Sequence, residues 1–313
     1  MESDMLLSFE ETMANLADLG KPLSSSGLVC LSDLDSKELA LFQETWLAIE
    51  TKRRRQIISR MVDLAEDNFE LDFSKIFRHC LKDEDTEVKC AAIAGLWENE
   101  ETSLLIPLTD LLEQDSTDRV QATAAAALGK FAMLAELNKL PQRHTSRVAG
   151  TLLAAFSDTS KPLEVRRRAL EAVAPLSTTE VTRAIGNAYQ SDNLRLKASA
   201  IYAMGRNCSP SWLPLLLKEL GSDEAELRYE AAGACGELEQ EEATPHLVEL
   251  TSDKDISVQL MAIQALGKIG GRAAKEHLER CLSHPDESIR DAARQALEEL
   301  QFGEDPLNAG RPI

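Results

Sequence analysis

Val165, Ala169 and Val173 stand four residues apart, which places three small apolar side chains on one face of a helix. The same triplet recurs as Val120, Ala124, Leu128; as Leu196, Ala200, Met204; as Leu227, Ala231, Cys235; as Val258, Ala262, Leu266; and as Ile289, Ala293, Leu297. Upstream it appears as Val88, Ala92, Leu96 and more faintly as Ile57, Met61, Ala65. The first members of these triplets, here called anchors, are separated by 31, 32, 45, 31, 31, 31 and 31 residues. A period held this closely specifies one small unit built repeatedly, each copy leaning on its neighbours. It excludes a reading as independent globular domains.

Each period has room for two helices. The anchored helix, B, is expected to begin after a capping residue three before the anchor: Asp85, Asn193, Asp255 or Asp286. A glycine nine after the anchor (Gly129, Gly205, Gly236 or Gly267) reads as a left-handed stop. The preceding helix, A, carries Pro107, Pro214 and Pro245, each 13 residues before its anchor, where a first turn tolerates proline. Aromatic residues make up only 4% of the chain, which suits many closely packed helices and not a β-sandwich.

Proline in helix A, aspartate in the turn, then Val-Arg/Lys and "A..ALG" in helix B resemble the HEAT repeat. The form is the short one of bacterial proteins related to the phycobilisome-lyase group, and "DISVQLMAIQALGKIGG" (Asp255 to Gly271) is its clearest copy. The resemblance covers about residues 36–300. It implies an all-α fold, an α-solenoid of about eight two-helix repeats. Residues 1–35 are expected to form an N-terminal helix and loop capping the first repeat, and residues 301–313 a mobile tail. The 45-residue interval places an irregular insertion near 135–160.

Acidic residues outnumber basic ones 53 to 34, a net charge of −19 that repels phosphate backbones and argues against nucleic acid as partner. No apolar stretch reaches the roughly 18 residues needed to cross a membrane, and no basic segment with an apolar run opens the chain. Six cysteines without CxxC spacing read as reduced thiols of a cytoplasmic protein. HEAT arrays include a di-iron hydroxylase class with repeated His-Glu pairs, and no His-Glu dipeptide occurs here. His246 and His277 hold equivalent places, 12 before their anchors, without an accompanying carboxylate set. No phosphate-binding loop or nucleophile elbow is present. No cofactor, metal or catalytic residue is therefore expected. The three tryptophans read as packing residues.

The arginines of "LEVRRRALEAV" (Leu163 to Val173) remain to be placed. The residue after the anchor is Lys89, Arg166, Lys197, Arg228 or Arg290, and the resemblance implies that it pairs with a turn aspartate in a ladder along the stack. Arg167 and Arg168 fall on the B-helix face turned away from the core. Along that face lie Arg167, Arg168, Glu171, Tyr202, Arg206, Tyr229, Glu230 and Met261. Tyrosine and arginine anchor interfaces. The expectation is a monomeric, non-catalytic scaffold whose B-helix groove receives another protein or peptide carrying an acidic segment. The competing reading is a lyase-like enzyme, or an accessory, of the bilin type. The other basic run, Lys52 to Gln56, reads as a solvated helix start with one structural arginine.

Overall fold

The computed structural model describes residues 2–304, with the side chains of residues 9–301. Helices α1 (Glu2–Ala17) and α2 (Ser25–Val29) precede eight A/B pairs. These are α3 (Ser36–Trp46) with α4 (Thr51–Asp67), α5 (Ser74–Cys80) with α6 (Thr86–Gly95), and α7 (Leu105–Gln114) with α8 (Asp118–Glu136). Next come α9 (Gln142–Ser157) with α10 (Leu163–Val173) and α11 (Thr179–Tyr189) with α12 (Leu194–Asn207). The last are α13 (Leu213–Glu219) with α14 (Ala225–Leu238), α15 (Thr244–Leu250) with α16 (Ile256–Ile269), and α17 (Gly271–Cys281) with α18 (Glu287–Glu304). No strand occurs among the described residues. The fold is an all-helical HEAT-type solenoid, in which successive B helices from α4 to α18 pack on one another and each B helix from α6 onward packs on its own A helix.

The anchors carry the core. Every one of the eight, from Ile57 to Ile289, is at most 5% exposed, and the alanines or methionine four residues on are fully covered. Caps form where expected: Asp85 accepts from the amides of Glu87 and Val88, Asn193 from Leu196, Asp255 from Ser257 and Val258, and Asp286 from Ser288. The three prolines sit in the first turns of α7, α13 and α15.

The glycines nine after the anchors do not stop their helices. Gly129, Gly205, Gly236 and Gly267 lie inside α8, α12, α14 and α16. A Cβ on Gly205 would stand 2.7 Å from the Cα of Ala234, and one on Gly236 2.9 Å from the Cα of Ala265. Gly129 meets Ala172 and Gly267 meets Ala296 in the same way. Close approach between successive B helices, not left-handed geometry, demands these glycines. The left-handed ends fall instead at Cys208 (φ 52°) and Glu239 (φ 51°).

The insertion is not a loop. It lengthens α8 to 19 residues and α9 to 16, joined by the short turn at 137–141, so the stack continues through it. At the N-terminus α1 packs on α3 and α4, burying Phe9, Met13 and Leu16. Arg53 ties it down by donating to the carbonyls of Leu16 and Lys21. The expected tail begins later than its assigned boundary, because α18 runs to Glu304; residues 305–313 lie outside the described residues.

The basic run at Lys52 holds two buried arginines, Arg53 and Arg54, where one was expected. Arg54 meets the fully buried Asp83, and Arg55 makes a two-point pair with Asp85 at 2.9 and 2.6 Å. Among the tryptophans, Trp46 and Trp212 pack in the core, but Trp97 is 62% exposed and does not.

The ladder splits into two modes. Lys89 pairs with Asp115 and Arg228 with Asp253, each in the turn of the following repeat, and Lys197 reaches Glu219. Arg166 has no such acid, since Ser191 stands where Asp115 and Asp253 stand in other repeats. It donates instead to the carbonyl of Phe156 and lies over that ring, 5.9 Å from its centre. Arg290 likewise binds the carbonyls of His284 and Pro285 in its own turn.

Candidate functional site

Because the triplet points inward, residues two, three, six and ten after each anchor face outward from the B helix. On α10, α12, α14 and α16 they line two adjoining clefts. The first, about 480 Å³, is bordered by Arg167, Arg168, Glu171, Tyr202, Arg206 and Glu230. The second, about 340 Å³, shares Tyr202, Arg206 and Glu230 and adds Tyr229 and Met261. All eight residues singled out in the sequence thus meet on one surface spanning four repeats. A third cleft, of about 490 Å³, continues from Tyr229 and Met261 to Leu260. Tyr202 is 42% exposed.

Lys130, Pro175 and Ser199 also border the first cleft and were not expected. Lys130 sits ten after its anchor, in the same row as Arg206 and Lys268. The long interval before Val165 had set its helix apart from that row.

The arginines are not free. Arg167 donates to Glu164 at 2.8 Å and to the Ser199 hydroxyl at 2.8 Å, and Ser199 in turn donates to Glu171 at 2.6 Å. Arg168 holds Glu164 at 2.9 Å and Glu171 at 3.0 Å. Arg206 and Lys268 share Glu237. Lys130 donates to the carbonyls of Leu96 and Trp97, and burial brings its pKa down to about 8. The Arg167 knot crosses from α10 to α12, so reversing that charge would disturb packing as well as surface.

Glu230 is the exception. Among the described residues it has no hydrogen-bond or ion-pair partner. Burial, reinforced by the charges of Glu171 and Glu226, pushes its carboxyl up to about 7. The folded chain therefore holds this proton more tightly than the unfolded chain. Stability from this group is full below the ordinary value of 4.5 and is lost as pH rises through 7. Glu230→Gln is expected to raise stability at pH 8 by about 1–2 kcal/mol, discounted for partial exposure, and by much less at pH 5. Chemical denaturation at the two pH values checks this; an equal change at both would place the carboxyl in its ordinary range.

No group of three or more His, Cys, Asp or Glu side chains is arranged for a cation among the described residues. His277 contacts the Thr251 hydroxyl at 2.8 Å, and His246 is exposed. The six cysteines are unbonded, with Cys30 and Cys208 exposed and the other four buried. No helix among the described residues is long and apolar enough to cross a membrane.

A family model described as HEAT repeats matches residues 74–155 and 213–298. No curated protein matches the chain in sequence. Among solved structures, the chain is similar to the complex of CpcE and CpcF of phycocyanin lyase from Nostoc, with 17% identity, 73% of this chain and 93% of that chain covered, and a TM-score of 0.48. It is similar to human deoxyhypusine hydroxylase at 17% identity, over 96% of this chain and 99% of that one, with a TM-score of 0.37. A designed armadillo repeat protein in complex with the peptide (KR)4 shows 19% identity over 63% of this chain and 99% of that one, with a TM-score of 0.40. At these identities the likeness concerns the fold.

Proposed function

The chain belongs to the HEAT-repeat family, and on that premise we propose that it is a non-catalytic interaction protein whose B-helix groove receives an extended segment of another protein. The observation that supports this reading is the run of adjoining clefts along α10–α16, with Tyr202, Tyr229, Leu260 and Met261 presented between charged rims. Such a surface supplies aromatic and thioether contact area on rigid helices, so little freedom is lost when a segment settles on it. Packed repeats hold these side chains in place before any partner arrives.

The test is a selection of random peptides displayed on phage against the full chain. Peptides of a common pattern should be enriched, and Tyr202→Ala with Tyr229→Ala should weaken them at least tenfold, about 1.4 kcal/mol. Absence of enrichment, or binders indifferent to both tyrosines, would remove the groove from consideration. A bilin-lyase type of activity is the rival reading, and no side-chain set along the groove favours it. Tetrapyrrole absorbance retained by the chain after desalting would count for the rival.

A further inference from the structure

Resting on the groove reading, we propose that Glu230, which lines one cleft with Tyr202 and Tyr229, is the seat for a basic side chain, lysine or arginine, of the bound segment.

The argument is one of pairing. Five cations border the two clefts around Glu230: Lys130, Arg167, Arg168, Arg206 and Lys268. Counted alone, they invite an acidic partner. Each is already engaged, however, by Glu164, Glu171, Glu237 or a backbone carbonyl. An acidic segment would have to displace Glu164 and Glu171 to reach Arg167 and Arg168, and would compete with Glu237, 3.6 Å away, for Arg206. A cationic group finds the opposite situation. Glu230 is half-buried, holds no hydrogen-bond donor, and feels the charges of Glu171 and Glu226, offset in part by Arg167, whose own side chain is held by Glu164 and Ser199. A positive group placed there makes a charge-assisted bond without breaking one.

The walls suit the same occupant. Tyr202 and Tyr229 line one cleft with Glu230, and neither hydroxyl has a hydrogen-bond partner among the described residues. Aromatic faces attract cations most strongly where water is partly excluded. The methylene stem of a lysine or arginine would lie against Met261 and Ala234, which line the same cleft. The acidic complement expected from the sequence is thereby replaced by a basic one. The reason is that side-chain pairing, not the count of arginines, decides which charge is left over.

The test uses end-blocked, fluorescently labelled decapeptides of alternating Ala and Lys, Ala and Glu, and Ala and Gln, with the full chain at pH 8 and physiological salt. The Lys peptide should bind best, and Glu230→Gln should weaken it at least tenfold. Because the chain is strongly acidic overall, Glu180→Gln on the exposed start of α11 serves as the control and should leave binding unchanged. Equal losses in the two variants would mean attraction by net charge alone and would overturn the seat. Preference for the Glu peptide, abolished by Tyr202→Ala, would overturn the seat and leave the groove standing. Binding of none of the three would also overturn the seat, and the phage selection would then decide the groove by itself.

Discussion

Asp83→Ala is expected to cost about 3–5 kcal/mol, because it strips a buried cation and an indole of their shared partner. Asp83 is fully buried in the turn between α5 and α6. Its carboxylate accepts from Trp46 Nε1 at 2.7 Å, from Arg54 Nη2 at 3.2 Å and from the Asp85 amide at 2.8 Å. One side chain thus joins α3, α4 and the start of α6. With it gone, Arg54 keeps the Ile49 carbonyl at 2.9 Å but loses its counter-charge at a site where it is 7% exposed. Urea denaturation gives the size of the loss. Hydrogen exchange gives its place, which should be α3–α6, since repeats lean mainly on their neighbours. A loss below about 1 kcal/mol would put this pair among solvent-screened surface bridges.

Gly205→Leu is expected to cost about 3 kcal/mol, at the upper end of overpacking, since even the Cβ would enter the backbone of α14 at Ala234. The control is Gly186→Ala in α11, where a Cβ meets nothing within 4 Å. That change should stabilise the helix by about 0.5–1 kcal/mol, because alanine is the better helix former. Opposite signs in thermal denaturation distinguish a contact glycine from an incidental one. Equal effects would mean that α12 and α14 relax apart and that their spacing is not set at this point.

The architecture was legible because burial follows the anchor triplet directly: Val88, Val120, Val165 and Val258 are wholly covered, as their period requires. Caps were legible for a similar reason, since Asp255 needs only its own next turn to act. The glycines nine after the anchors were misread because glycine at a helix end and glycine at a helix contact look alike in a single repeat. The distinguishing signal lies 29 residues on, in Ala234, Ala265 and Ala296, each seven after its anchor. The groove's membership could be read from outward-facing positions alone. Its chemistry could be read only in part. The grip of Glu164 and Glu171 on Arg168 follows i,i+4 and i,i+3 spacing within α10 and was there to be read; that Ser199 ties Arg167 to Glu171 while Glu230 is held by nothing depends on which rotamers meet across helices, and helical spacing is silent on that. Arg166 lost its ladder role through two residues in the next repeat: Ser191 at the turn place, and Ala188 at the place from which Glu219 serves Lys197.

The glycine–alanine contact joins α12 to α14, α14 to α16 and α16 to α18, and once more α8 to α10. It is missing between α10 and α12. There α10 ends at Val173, Ala174 stands nine after the anchor, and Pro175 follows. Asn207 spans the gap through hydrogen bonds to the carbonyls of Ala174 and Leu176, at 2.9 and 3.2 Å. In elastic terms, a step whose backbones touch has almost no room to shear, whereas a step joined by side-chain hydrogen bonds, from Asn207 and through Ser199 to Arg167 and Glu171, bends at lower cost. The array is therefore not an evenly sprung coil. The steps from α12 to α18 form one tightly joined arm, and the step from α10 to α12, like those from α4 to α6 and α6 to α8, lacks the glycine contact. The first cleft lies over the step from α10 to α12, with Gly129 and Ala172 on one side and Tyr202 and Arg206 on the other. A bend at that step would alter the width of the first cleft, whose two walls it joins.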